Sequence, residues 1–185
     1  MLGLPKGIVR LETYDPEWIR AYEKEKSIIE DCIRNYIIDI QHVGSTSIEG
    51  LIAKPIIDIA VGVPSLVEGH KCIEPLEQIG YEYKGEAGVV GRLYFTKDDG
   101  IIRIHHIHIE EVGSTNWWNQ ILFRDYLRLH NDARDEYGEL KKILAQKYAN
   151  DRETYTERKA DFILDIIVRA KEQFFIKAEG NDNIL

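Results

Sequence analysis

The sequence predicts an α+β fold: a mixed sheet flanked by helices, with a helical C-terminal segment. Three observations carry this. Over residues 1–112, β-branched runs alternate with two helical stretches. After Gly113 the apolar spacing becomes helical throughout. The composition, 44% hydrophobic and 30% charged over 185 residues, is ordinary for a globular protein and too apolar for disorder.

The elements follow in order. Asp15-Pro16 reads as an N-cap with proline at the first helical position. Trp18, Tyr22, Ile29, Ile33 and Tyr36 then recur near helical spacing, with Glu23, Lys24, Glu25 and Lys26 outside, which predicts a helix over 16–35. A strand over 37–43 ends in the turn signal Gly44-Ser45-Thr46-Ser47. Lys54-Pro55 leads into 56–63, nearly all apolar and β-branched, as a strand buried on both faces reads. Ser65 and Glu68 form a capping box for a helix that runs to Ile79 and stops at Gly80. Strands are predicted at 81–83 and 89–96, and Asp98-Asp99-Gly100 turns the chain into a strand over 101–110. Helices at 116–130, 132–148 and 151–176 complete the pattern. Residues 1–112 are thus the predicted core, 113–176 a helical segment packed on it, and 177–185 a frayed tail.

Twenty-four basic residues against 32 acidic ones give a formal net charge of −8. That argues against a sequence-blind nucleic-acid binder, which needs many cationic phosphate contacts. A small phosphorylated ligand in one locally basic pocket remains compatible with it. No apolar stretch approaches a membrane span, and the N-terminus has no apolar signal core. Cys32 and Cys72 lie in no ligand pattern and read as reduced thiols, so the expected compartment is the cytoplasm.

Two stretches carry chemistry. In the first, a strand ends in Gly44-Ser45-Thr46, and the next strand carries Asp58 among isoleucines. Gly44 lets a ligand approach the backbone, while Ser45 and Thr46 offer donors to phosphate oxygens. A carboxylate in an apolar run must be paired, hydrogen-bonded or metal-bound. The plain alternative is a turn plus an Asp that caps a helix or pairs with Lys54. In the second stretch, Arg103 to Glu110, strand alternation puts His106, His108 and Glu110 on one face and His105 on the other. Two imidazoles and a carboxylate suit metal ligation or acid–base work, and equally a set of structural histidines.

These residues resemble the GrpB family. The resemblance runs through His42-Val43-Gly44-Ser45-Thr46-Ser47-Ile48, Ala53-Lys54-Pro55-Ile56-Ile57-Asp58-Ile59, Arg92-Leu93-Tyr94-Phe95 and His105-His106-Ile107-His108-Ile109. It continues through Leu122 to Arg128 and Tyr155 to Phe162. It implies a nucleotidyltransferase-like (polymerase-β-like) fold. In that superfamily a Gly-Ser turn holds the triphosphate and an Asp-x-Asp pair binds metals. By the resemblance, Gly44 and Ser45 match the turn and Asp58 the first acid. Ala60 stands at the second acid position, and His106 and His108 stand where a later acid would. Two close Mg²⁺ ions would then lack carboxylate ligands.

The expected function is binding of a nucleotide or other phosphorylated small molecule, with metal-dependent nucleotidyl transfer as the reaction the resemblance implies. Asp58, His106 and His108 are the catalytic candidates, and also the ligands for a divalent metal (Mg, Mn or Zn). Gly44, Ser45, Thr46, Lys54, Arg92, Arg103, Arg124 and Lys159 are the candidates for binding a nucleoside triphosphate, with Arg128 and Tyr155 nearby. One alternative is a catalytically decayed accessory module linked to coenzyme A metabolism, since family members occur fused to dephospho-CoA kinase. The other is a metal-dependent hydrolase using His106 and His108. A nucleic-acid or membrane partner is not expected.

Overall fold

A computed structural model describes residues 2–179, with side chains to residue 174. In chain order the elements are β1 (Leu4–Pro5), α1 (Glu17–Ile33), β2 (Asp39–Val43), β3 (Ile57–Val63), α2 (Leu66–His70), α3 (Ile73–Gln78), β4 (Tyr81–Tyr83), β5 (Arg92–Asp99), β6 (Ile102–Glu111), α4 (Thr115–Leu129), α5 (Asn131–Lys147), α6 (Arg152–Glu157) and α7 (Ala160–Glu179). The sheet order is β2-β3-β6-β5-β4, with β1 pairing the start of β6. β3 and β6 run parallel, and the other pairs are antiparallel.

One face of the sheet is closed by α1, α2 and α3. Ile57, Ile59, Val61 and Val63 of β3 point there and pack with Phe95, Ile107 and Ile109 against Trp18, Tyr22, Ile29 and Ile33 of α1. Each such side chain contributes about 1.5–3 kcal/mol when fully buried. Asp15 Oδ1 accepts from the Glu17 amide at 3.0 Å, so the expected cap is made. Glu25, expected outside, is buried instead. It lies in the same stripe as Trp18, Tyr22, Ile29 and Ile33, where it accepts from Tyr81 Oη at 3.0 Å and Lys97 Nζ at 2.8 Å.

Three boundaries differ from the sequence reading for identifiable reasons. The helix expected from Ser65 to Ile79 is two short helices. Ser65 Oγ accepts from the Glu68 amide at 3.4 Å as expected, but Pro75 has no amide to donate and sits in the first turn of a new helix, α3. β5 begins at Arg92 rather than at Val89, because Gly85, Gly88 and Gly91 all take positive φ in the loop before it. The helix expected over 151–176 breaks after Glu157 and resumes at Ala160. α7 runs to Glu179, into the stretch expected to fray, and residues 180–185 lie outside the described residues.

The other sheet face is covered by the C-terminal helices. Ser114 Oγ accepts from the Trp117 amide at 3.3 Å and starts α4. Trp117 packs on Val43 and Ala60. Trp118 is 41% exposed. α4, α5 and α7 share a second core of Phe123, Leu127, Tyr137, Ile166 and Ile167 with Ile48 and Leu51. A cavity remains between these helices and the sheet.

Candidate functional site

Strand register builds the cavity wall. Asp58, His106 and Thr96 are lateral partners across β3, β6 and β5. Ala60, His108 and Tyr94 form the next rung, and Gly62, Glu110 and Arg92 the third. Residues in register share a face, so these rungs all look toward the C-terminal helices. His105, in register with Ile57, points the other way and is buried, as the alternation predicts.

Asp58 is the centre of this wall. His106 Nδ1 lies 2.7 Å from Asp58 Oδ1, and Arg152 Nη2 lies 3.2 Å from His106 Nε2. A carboxylate only accepts and a guanidinium only donates, which assigns the proton to Nδ1 and the lone pair to Nε2. His108 is held the opposite way round. Arg92 Nη1 donates to its Nδ1 at 3.3 Å, leaving the Nε2 proton directed at Asp58 Oδ1, 3.7 Å away. Two arginine–imidazole arms therefore converge on one carboxylate oxygen. Burial favours neutral Asp58, but the His106 and His108 contacts outweigh it and hold the carboxyl well below the usual range. Burial pushes His106 down to about 4 against the opposing pull of Asp58, so the ring is neutral at pH 7.

The turn before β3 closes against this carboxylate. Gly44 has φ 68°, and a Cβ there would stand 2.5 Å from Asp58 Oδ2. Only glycine lets the backbone pass so close. Ser45 faces the cavity and hydrogen-bonds the Tyr137 hydroxyl. The Thr46 hydroxyl turns inward, donating to the Ile56 carbonyl at 3.4 Å and accepting from His42 Nε2 at 3.0 Å. It holds the turn, and its side chain is 1% exposed on the residue scale.

The cavity has a volume of about 720 Å³. Lys54, Arg92, Lys141, Arg152 and Lys159 line it, against Asp58 and the exposed Glu153 and Glu157. Lys54 Nζ and Lys159 Nζ stand 5.3 and 4.4 Å from the centre of the Tyr155 ring. Burial, with Lys159 and Arg152 nearby, pushes Lys54 down to about 7. Burial likewise lowers Lys159 to about 8, with Asp58 opposing. Lys141 is 2% exposed, donates to the Ile52 carbonyl, and is driven well below the usual lysine value by burial first. Phe123, Ile163 and Ile167 form an apolar wall of the same cavity.

The structure thus brings together Gly44, Ser45, Asp58, His106, His108, Lys54, Arg92 and Lys159. It does not bring in Arg103 or Arg124. Arg103 pairs with Asp98 outside the cavity lining. Arg124 donates to Gln41 Oε1 at 2.8 Å and to the His42 carbonyl at 3.0 Å, strapping α4 to β2. Arg128 straps the turn through the Ser47 carbonyl at 2.7 Å. Both arginines are spent on protein acceptors.

Nor does the expected metal set fit. A histidine ligand must offer a ring lone pair. His106 gives its lone pair to Arg152, and His108 gives its own to Arg92. Among the described residues no group of three or more His, Cys, Asp or Glu is arranged to hold an ion. Ala60, at the second acid position, is fully buried against Val43 and Trp117.

Sequence reasoning missed Arg152, Tyr137, Tyr94 and Lys141 as wall residues. Lys141 had a signal: it sits on the buried stripe Ala133, Tyr137, Lys141, Leu144 of α5. Arg152 had none, because it follows a helix cap like any surface arginine.

The family model for GrpB protein matches residues 8–169. The chain belongs to the GrpB family. It is 42% identical over 172 residues to the glutamate-rich protein GrpB of Alkalihalophilus pseudofirmus, covering 90% of this chain and 98% of that one. A crystal structure of the conserved protein GrpB from Enterococcus faecalis superposes with a TM-score of 0.83 at 35% identity, covering 90% of this chain and 99% of that one. A dephospho-CoA kinase of Mycolicibacterium paratuberculosis is 29% identical over 191 residues, covering 90% of this chain and 47% of the kinase. The Cid1 poly(U) polymerase bound to Mg 3'-dATP matches at TM-score 0.52 and 15% identity, over 72% of this chain and 43% of that one. At that identity the likeness is one of fold, and the fold of this GrpB protein is nucleotidyltransferase-like. No helix among its described residues is long and apolar enough to cross a membrane.

Proposed function

We propose that the cavity binds a nucleotide or a related phosphorylated small molecule. The observation that carries this is the cluster of Lys54, Arg152 and Lys159 beside the Gly44-Ser45 turn, on a chain of net charge −8. Cations that are partly dehydrated and face one another raise the free energy of the empty pocket. An anion relieves that repulsion and gains charge-assisted hydrogen bonds. The apolar wall of Phe123, Ile163 and Ile167 suits a ligand with an organic part as well as phosphates.

Binding is favoured over two-metal nucleotidyl transfer by Ala60. A second carboxylate there would have to enter the dry corner of Val43 and Trp117. The kinase relatives make coenzyme A precursors natural probes, and the free thiols Cys32 and Cys72 fit a reducing cytoplasm. Calorimetric titration with ATP, ADP and dephospho-CoA in Mg²⁺ buffer tests the reading. Saturable binding of at least one, weakened by Lys54→Met, is expected. Absence of heat and of any thermal shift with all three would refute it. Release of pyrophosphate from ATP, dependent on Asp58, would promote the chain from binder to transferase.

A further inference from the structure

We infer that the cavity holds its phosphorylated ligand without a divalent ion, through Lys54, Arg152 and Lys159. The inference rests on the binding reading above and adds to it how the ligand's charge is balanced.

The argument is one of lone pairs and donors. A phosphorylated ligand needs its negative charge balanced, by cationic side chains or by a metal ion. A metal ion would have to draw ligands from Asp58 and its neighbours. Asp58 Oδ1 faces the His106 and His108 protons, and the position that would supply a second carboxylate beside it is the fully buried Ala60. Each imidazole has a single lone pair, and each accepts from an arginine. Recruiting either ring through its present lone pair would discard an arginine contact. An ion shared with Asp58 would need the opposite tautomer, with no ring N–H left facing the carboxylate.

Positive charge is meanwhile present on the protein side. Lys54 and Lys159 make no hydrogen bond or ion pair among the described residues. They stand over the electron-rich face of Tyr155, which positions an ammonium without neutralising it. Arg152 contributes one N–H to His106 and keeps its remaining donors. Tyr155 is 1% exposed, so the platform under the two ammonium groups is fixed. Lys54 precedes β3, Arg152 opens α6, and Lys159 follows it. The short helix and the break after it, which sequence reading ran together, are what aim these cations at the sheet.

Calorimetry on the full chain separates the cases, with pyrophosphate and ATP titrated once in excess EDTA and once in Mg²⁺. Mn²⁺ is also titrated alone and followed by electron paramagnetic resonance. Both anions should bind in EDTA at least as tightly as in Mg²⁺, because the fully charged anion meets the cations directly. Arg152→Met and Lys159→Met should each weaken binding about tenfold or more, as loss of a charge-assisted hydrogen bond does. Lys159→Arg should retain it, and Lys142→Met, on the exposed face of α5, should leave it unchanged. Binding that appears only with Mg²⁺, or Mn²⁺ binding abolished by Asp58→Asn, overturns the inference and leaves the binding reading standing. No binding in either buffer overturns both.

Discussion

The two faces of the sheet come from the same strands, one residue apart. On the α1 side β3 presents Ile57, Ile59, Val61 and Val63, and β6 presents Ile107 and Ile109. On the α4 side the same strands present Asp58, Ala60 and Gly62, with His106, His108 and Glu110. The first face is dry and closed. The second is polar, cationic and hollow. The difference teaches that the core holds the strands in register so that the opposite face can keep a carboxylate at a fixed place. The larger core lies on one side and the candidate site on the other.

The sharpest way to break that division is from the closed side. Phe95→Ala removes a fully buried ring and should cost about 3–5 kcal/mol in denaturant unfolding. A cost near zero would mean that the closed face is not the stability core. Next comes Gly44→Ala, at φ 68° with Asp58 Oδ2 in the path of the new Cβ. It should cost about 1–3 kcal/mol from backbone strain and displace Asp58, so that anion binding falls along with stability. Asp58→Asn follows, without the backbone strain. It should lose about 1–3 kcal/mol at pH 7, the range for a broken buried hydrogen bond. The folded carboxyl is held below its unfolded value, so this stability is present above about pH 4 and is lost as pH falls through the folded value. The gap between wild type and variant should therefore close in acid, as urea titrations at several pH values would read.

The smallest effect runs the opposite way. Lys54 and Lys159 sit at about 7 and about 8 in the folded protein, below their unfolded values. Above those values the unfolded chain binds more protons, so the ligand-free protein should gain stability from about pH 7 to about pH 10. Lys54→Met should raise the thermal midpoint at pH 7 by about 2–4 °C, flatten that rise, and weaken anion binding. A midpoint that falls would show the cation to be structural rather than reserved for a ligand.

Much of this was legible in the chain. Period two placed His106 and His108 on one face of their strand and His105 on the other, because side-chain parity along a strand is fixed locally, and the family resemblance set that face beside Asp58. The α1 stripe was legible as well, although Glu25 was read by its charge rather than by its place in the stripe. Arg103 and Arg124 were not legible. Whether an arginine reaches a ligand or a carbonyl depends on which acceptor the tertiary structure brings near, and Gln41 and His42 are more than eighty positions from Arg124. The partners of His106 and His108 were hidden for the same reason: their lone pairs face Arg152 and Arg92, from α6 and β5.

Trp117 has a consequence for what position 60 can carry. Its indole fills the corner behind Ala60, and a Cβ on neighbouring Gly62 would come within 3.0 Å of it. Ala60→Asp alone would force a charge into hydrocarbon, so a second acid on this rung would take at least two coordinated changes. One large side chain thus bars position 60 to a carboxylate and puts a paired acid beyond the reach of a single substitution.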